Sequence, residues 1–171
     1  AGVKALHVDA LNLELFPNAA TAFQSPYTIL KSARKRVKLF VRAAEKSGVK
    51  LTAFIDAARK TDEAREKWYS RRVKEVRTGK RRILQGQSTM LGDLLRAEGV
   101  VVHYSIVDND DTLAAHAYAD GASVLSADKD FFRYVPEGGG EGAPYSVYSD
   151  YHVSNGRLLL RPHPHHKARK E

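Results

Sequence analysis

The sequence predicts an α/β domain built on a mostly parallel central sheet. Two observations carry this. Four short apolar, β-rich segments each run into an aspartate: "VKALHV" (3–8) into Asp9, "VKLTAFI" (49–55) into Asp56, "VVVHYSIV" (100–107) into Asp108 and "ASVLSA" (122–127) into Asp128. Between them lie segments with helical patterning. Alternating strands and helices mark parallel strands joined by crossover helices. In such sheets the ligand crevice lies at the carboxyl ends of the strands, so the four aspartates are expected on one rim.

Each element has its own justification. Residues 27–47 place Leu30, Val37, Phe40, Val41 and Ala44 at helical spacing, and Gly48 suits the left-handed residue that ends a helix. Residues 63–78 are strongly charged and compatible with a helix. "STMLGDLLRAE" (88–98) opens on a Ser/Thr cap candidate and stops at Gly99, and "DDTLAAHAYAD" (110–120) closes at Gly121. In "VLSADKDFF" (124–132) a strand end turns at Asp128 and Asp130, and Phe131 and Phe132 anchor a following helix in the core. "PEGGGEGAP" (136–144) reads as a flexible loop, and "YSVYSDYHVSNGRLLL" (145–160) as a hairpin turning at Asn155-Gly156. Residues 161–171 form a basic, polar tail expected to be disordered. Its His163, His165 and His166 are a weak candidate for metal binding, with no carboxylate or cysteine beside them. One domain over 1–160 accounts for the chain, and no internal repeat is visible.

The charge is uneven. Net charge is +8, with 28 Lys and Arg against 20 Asp and Glu. Residues 31–46 hold seven basic side chains and one acidic, and residues 59–82 hold eleven and four. Most other acidic residues gather in short motifs. Basic surfaces beside acidic clusters suit a polyanion held near a metal. There is no cysteine, which excludes disulfides and thiolate-ligated zinc or iron–sulfur centres and favours an intracellular setting, cytoplasm or nucleus. No apolar run approaches the roughly 18 residues of a membrane span, and no secretory signal opens the chain. The missing initiator Met suggests processing or an artificial boundary.

The acidic residues are Asp9; Asp56; Asp108, Asp110 and Asp111; Asp128 and Asp130. Brought to one rim they repel: at about 4 Å and an effective dielectric near 20, each pair costs roughly 4 kcal/mol. Protonation or bound cations would relieve this. Oxygen-only ligands suit Mg²⁺ or Mn²⁺. Zinc would need nitrogen, and only His7 and His103 lie near these strand ends. Asp108 and Asp111, three residues apart, can share one side of a starting helix, whose positive end suits carboxylates. The structural alternative is that some of these residues, Asp110 or Asp130 for example, are helix caps.

These motifs resemble the PIN-like/FEN-like nuclease superfamily. "VLSADKDFFRYV" is similar to its third acidic motif, especially in the 5′-nuclease domain of bacterial DNA polymerase I. "IVDNDDTLAAHAYAD" resembles the preceding acidic helix, "ALHVDALNL" the opening strand end, and "AFIDAA" the second, after which flap endonucleases place a helical arch. Order and spacing agree over residues 3–135. The resemblance implies a three-layer α/β/α domain that hydrolyses phosphodiesters in DNA or RNA with two divalent cations, one acidifying an attacking water and one steadying the leaving oxygen. By position, Asp9, Asp56, Asp108, Asp110 and Asp128 would be the main catalytic metal ligands, and Asp111 and Asp130 would supplement a second metal. Residues 57–87 would be the arch-like basic region. There Arg65, Tyr69, Arg71, Arg72 and Lys74 would meet nucleic acid, with Trp68 or Tyr69 stacking on a base; Trp68 could instead be tucked into the core. Lys31, Arg34, Lys35 and Lys38 form a second phosphate-tracking candidate.

Three departures stand out. Asp108 replaces the usual Glu, Ala10 stands where Gly is common, and the helix–three-turn–helix that grips duplex DNA in flap endonucleases is missing from these residues. What remains is a compact nuclease acting on single strands or RNA, or one completed by a protein partner. The alternatives are a catalytically weak or inactive scaffold that binds RNA or protein, and a phosphatase using the same metals on a small ester.

Overall fold

A computed structural model of the chain describes residues 2–16, 25–57, 61–78, 86–134 and 144–167. Among them one six-stranded sheet is formed by β1 (Ala5–Asp9), β2 (Lys50–Asp56), β3 (Val101–Ser105), β4 (Ser123–Leu125), β5 (Val147–Ser154) and β6 (Arg157–Pro162). Its helices are α1 (Pro26–Lys46), α2 (Asp62–Arg77), α3 (Gln87–Ala97), α4 (Asn109–Asp120) and a short C-terminal turn, α5 (Pro164–Lys167). The strand order is β3-β2-β1-β4-β5-β6. The first five strands run parallel, and β6 returns antiparallel along β5. This is the expected mostly parallel α/β architecture.

Side chains alternate across the sheet and make two cores. Leu6 and Val8 of β1, Ala53 and Ile55 of β2 and Leu125 of β4 face α1 and α3. Phe54 and Val124, one residue out of phase, face α4 together with Leu113, Ala114, Ala117, Phe131 and Phe132. The layers are therefore α1 with α3, the sheet, and α4. α1 forms because Ser25 caps it, accepting from the Thr28 N–H, because Pro26 sits in its first turn, and because Ile29, Ala33, Val37, Phe40 and Ala44 recur at three- to four-residue spacing and are buried. Leu30, expected on that stripe, is exposed instead, and Ile29 takes its place.

α3 departs from expectation at its start. Gly86, in the left-handed region, is the cap and no side chain bonds there, so Ser88 and Thr89 lie inside the helix. Gly92 in mid-helix has a packing reason: a Cβ there would collide with the Tyr104 hydroxyl and lie 2.8 Å from Tyr104 Cζ. α3 thus rests directly on β3. The strand segments expected over 100–107 and 122–127 are shorter, ending at Ser105 and Leu125. Of the tail expected over 161–171, Arg161 and Pro162 instead complete β6 and His163 is buried; residues 168–171 lie outside the described residues. The loop expected at 136–144 lies outside the described residues except for Pro144.

The strand order fixes where a ligand can bind. From β1 the chain steps outward to β2 and β3, then crosses back to β4 on the other side of β1. The reversal lies between β1 and β4, and the connections diverge there, leaving a crevice at the carboxyl ends of those strands.

Candidate metal and nucleic-acid site

Asp9 ends β1 at this crevice and is buried. One carboxylate oxygen, Oδ2, accepts from the Ser126 hydroxyl at 3.1 Å and from Asn12 Nδ2 at 3.2 Å. Ser126, just past β4, also accepts from the Asp128 N–H at 3.2 Å. One hydroxyl therefore couples the end of β1 to the turn after β4. Burial raises the pKa of Asp9 above the usual carboxylate range; the two side-chain hydrogen bonds act against this, and Asp128 and Asp56 add to it.

Asp108 and Asp128 do not terminate strands. Each lies three residues past one and caps the helix that follows. Asp108 Oδ1 accepts from the Asp110 and Asp111 N–H groups at the start of α4, and Asp128 Oδ1 accepts from the Asp130 N–H of a 3₁₀ turn over Lys129–Phe132. Capping roles thus fall on these two, not on Asp110 or Asp130. A buried hydrogen bond from Ser105 Oγ to Asn109 Oδ1, at 2.6 Å, ties the end of β3 to α4 and fixes where that first turn stands.

A cleft of about 1260 Å³ opens above these groups, and Asp9, Asp56, Asp108, Asp110 and Asp128 all line it. Asp110 has its pKa pushed up to about 6, first by burial, then by Asp9, Asp108 and Asp128. Asp110, Asp128 and Asp130 each offer an oxygen within 4.8 Å of the others, close enough to share one cation. Asp111 does not line the cleft. It accepts from the Tyr134 hydroxyl and lies 3.7 Å from Arg133, which also pairs with Asp130 at 3.3 Å. His7 and His103 are not in the cleft lining either. They pack around Phe54 with His116, and His7 Nε2 faces Asp120 at 3.1 Å. Burial lowers the His7 pKa. The first shell open to a cation among the described residues is therefore all oxygen.

α2 forms one wall of the cleft. Lys67, Trp68, Arg71 and Arg72 line it, at the three- and four-residue spacing of one helix face, with Arg72 over the Trp68 ring at 5.7 Å. Trp68 is 43% exposed and is not core. Of the residues expected to meet nucleic acid here, Arg71 and Arg72 face the cleft, whereas Arg65, Tyr69 and Lys74 do not line it; Arg65 pairs with Asp62 in its own helix. Lys67 went unnamed, although its spacing from Arg71 would have found it. Lys31, Arg34, Lys35 and Lys38 lie along α1 and none lines the cleft. Ile106 and Val107, just before Asp108, also line the cleft and are exposed. Asn12 and Ser126, which hold Asp9, also escaped the sequence reading.

Together the sheet order, the three layers and the acidic rim define a PIN-like/FEN-like fold. Two solved structures share it. The catalytic core of Rad2, in complex with a DNA substrate, is 14% identical with a TM-score of 0.55, the alignment covering 94% of this chain and 48% of that one. Human GEN1, in complex with Holliday junction DNA, is 14% identical with a TM-score of 0.51, covering 93% and 38%. At that identity the likeness is one of fold, and this chain spans about half of the first structure's chain and less of the second's. No family model and no curated protein sequence matches the chain. No described helix is long and apolar enough to cross a membrane.

Proposed function

We propose that this chain is a divalent-metal-dependent nuclease that hydrolyses phosphodiester bonds in DNA or RNA. The observation behind this reading is the convergence of Asp9, Asp56, Asp108, Asp110 and Asp128 on one cleft whose far wall carries Lys67, Arg71 and Arg72. Five carboxylates facing one space are unfavourable for binding a polyanion unless cations stand between them. The Asp110 pKa, raised to about 6 first by burial and then by Asp9, Asp108 and Asp128, agrees with that crowding. Mg²⁺ or Mn²⁺ fits the donor set, since both favour carboxylate oxygen, water and phosphate. Asp110 and Asp128 would hold it, with Asp9, Asp108 and Asp130 in reach directly or through water, and two ions would account for the number of carboxylates. Bound there, the cation supplies Lewis acidity toward water and toward the phosphate oxygens.

The chain's own groups have the remaining roles. Ser126 and Asn12 hold one oxygen of Asp9, a residue that lines the cleft. Arg71, Arg72 and Lys67 take phosphates, and Trp68 takes a base face. Two exposed apolar side chains, Ile106 and Val107, share the cleft lining with them, which favours an unpaired strand over a duplex as the occupant. Residues 57–87 are read as the arch, of which 58–60 and 79–85 lie outside the described residues. DNA binding by the two structural neighbours, named above, agrees with this reading.

The test is cleavage of single-stranded RNA, single-stranded DNA, flap and duplex substrates in Mg²⁺ or Mn²⁺, with EDTA and Asp128→Asn as controls. Activity that survives either control overturns the mechanism. A salt-sensitive gel shift with no cleavage in Mn²⁺ would make the chain a binding scaffold.

A further inference from the structure

His163 follows β6 and is buried, and the nuclease reading assigns it nothing. Both of its ring nitrogens are engaged. Nδ1 accepts from the His165 N–H at 3.2 Å, so it carries no proton. The proton of the neutral ring is then on Nε2, which donates to the Ala127 carbonyl at 3.2 Å. The backbone N–H of His163 donates to the Val147 carbonyl at 3.0 Å, and Phe132 packs edge-on against the ring at 5.1 Å between centroids. The ring is thus held by the sheet below and by a neighbour on the acidic turn.

Ala127 lies between Ser126, which bonds Asp9, and Asp128. The Ser126 N–H is itself tied to β5, donating to the Tyr148 carbonyl at 2.9 Å. The turn carrying Asp128 is therefore anchored on one side by β5 and on the other by a residue about 36 positions further along the chain. The peptide that leads into Asp128 is held at both ends, its N–H by Ser126 Oγ at 3.2 Å and its carbonyl by His163, so removing His163 leaves the carbonyl end unheld. We propose that His163 is a positioning residue for Asp128: through Nε2–H it fixes the Ala127 peptide and so aims the carboxylate at the cation. This rests on the nuclease reading of the cleft. Partners one step removed from a metal ligand change metal affinity by about 10–100-fold when lost.

Two substitutions separate positioning from a local structural role. In His163→Gln the side-chain amide reaches about as far as Nε2 and can still donate to Ala127, but nothing occupies the Nδ1 position. In His163→Asn the side-chain oxygen takes the place of Nδ1 and still accepts from His165, but nothing reaches Ala127. Mn²⁺ affinity is measured by calorimetry on the full chain without substrate, alongside Tm and the Mg²⁺ dependence of single-strand cleavage. The expected result is near-native Mn²⁺ affinity in H163Q and at least a tenfold loss in H163N, with the Tm of H163N no lower than that of H163Q. Loss in H163Q with H163N native-like overturns the proposal, as does equal loss in both that tracks Tm; either makes the ring a cap of the C-terminal turn. If the wild-type chain binds and cleaves and H163N matches it, this inference fails alone. If the wild-type chain neither binds Mn²⁺ nor cleaves, the nuclease reading fails with it.

Discussion

Asp110 and Asp111 are adjacent in the first turn of α4 and meet opposite surroundings. Asp110 lines the cleft, where burial and then Asp9, Asp108 and Asp128 outweigh the opposing charge of Arg133, and its pKa rises to about 6. Asp111 turns outward, where the Tyr134 hydroxyl donates to it and Arg133 stands 3.7 Å away. The Asp-Lys-Asp motif divides in the same way, less sharply: Asp128 lines the cleft, and Asp130 pairs with Arg133 while also offering an oxygen near Asp110 and Asp128. On α2, Trp68 lines the cleft and Tyr69, its neighbour, is turned to solvent. Successive helical residues point about 100° apart, so an acidic or aromatic doublet is two environments and not one.

The largest expected effect sets Asp110 against Asp111. Asp110→Asn should lower metal-dependent cleavage roughly a thousandfold, because charge stabilisation by the cation is worth several kcal/mol and each 1.4 kcal/mol is a factor of ten. Asp111→Asn should cost less than about tenfold, its partner being Arg133. Single-turnover rates in Mg²⁺ measure both, and equal losses would erase the distinction between the two carboxylates. Next in size is the aromatic pair. Stacking on a base is worth about 1–3 kcal/mol, so Trp68→Ala should weaken single-strand binding about 5- to 150-fold, and Tyr69→Ala should leave it unchanged. Both should keep the native Tm, since neither side chain is core. Fluorescence anisotropy in Ca²⁺ reads the binding, and a Tyr69 effect as large as that of Trp68 would mean that α2 presents a different face to substrate.

A smaller effect is the pH dependence of the metal-free chain. A carboxyl group whose pKa is raised on folding binds its proton more tightly folded than unfolded. Its contribution to stability is therefore best at low pH and is lost as pH rises from about 4 toward and past 6. Asp110, with Asp9 shifted the same way, should make the metal-free protein lose Tm between pH 5 and 7 at these groups. Asp110→Asn should flatten that loss, and Mn²⁺ should raise Tm more at pH 7 than at pH 5. Scanning calorimetry in EDTA and in Mn²⁺ tests the sign. A wild-type Tm that climbs with pH as steeply in EDTA as in Mn²⁺ would mean that the carboxylates are already neutralised by protein groups.

What the sequence could disclose follows from how local each signal is. β1 and β2 were legible because an apolar run ending on an aspartate is a contiguous pattern, and α1 because one face repeats over 21 residues. Asp108 and Asp128 were expected at strand ends; they line the cleft from three residues past their strands as helix caps, a placement set by where the backbone turns. Ser126 and His163 were not legible, since their partners are far along the chain: Ser126 meets Asp9 across 117 positions and His163 meets Ala127 across 36. Asn12 is only three positions from Asp9, but nothing in its residue type marks it as the group that holds that carboxylate. On α2 total charge named Arg65 and Lys74, which do not line the cleft, and helical phase does not set them apart, since Lys74 is seven residues from Lys67 and Arg65 seven from Arg72.

Arg133 offers the finest test of the comparison. It is exposed and bridges Asp111 and Asp130, at 3.7 Å and 3.3 Å, from outside the cleft. Exposed ion pairs contribute little to stability, because water and salt screen them and long side chains lose freedom in forming them. Arg133→Gln should therefore leave Tm nearly unmoved. It should, however, release Asp130 to turn toward Asp110 and Asp128, whose oxygens are already within 4.8 Å. Cleavage should change by no more than a few-fold, and Mn²⁺ affinity should rise slightly because one more carboxylate becomes available. If R133Q instead loses activity on the scale of Asp110→Asn, Arg133 acts on the substrate, and the boundary between the cleft carboxylates and those outside it lies beyond this side chain.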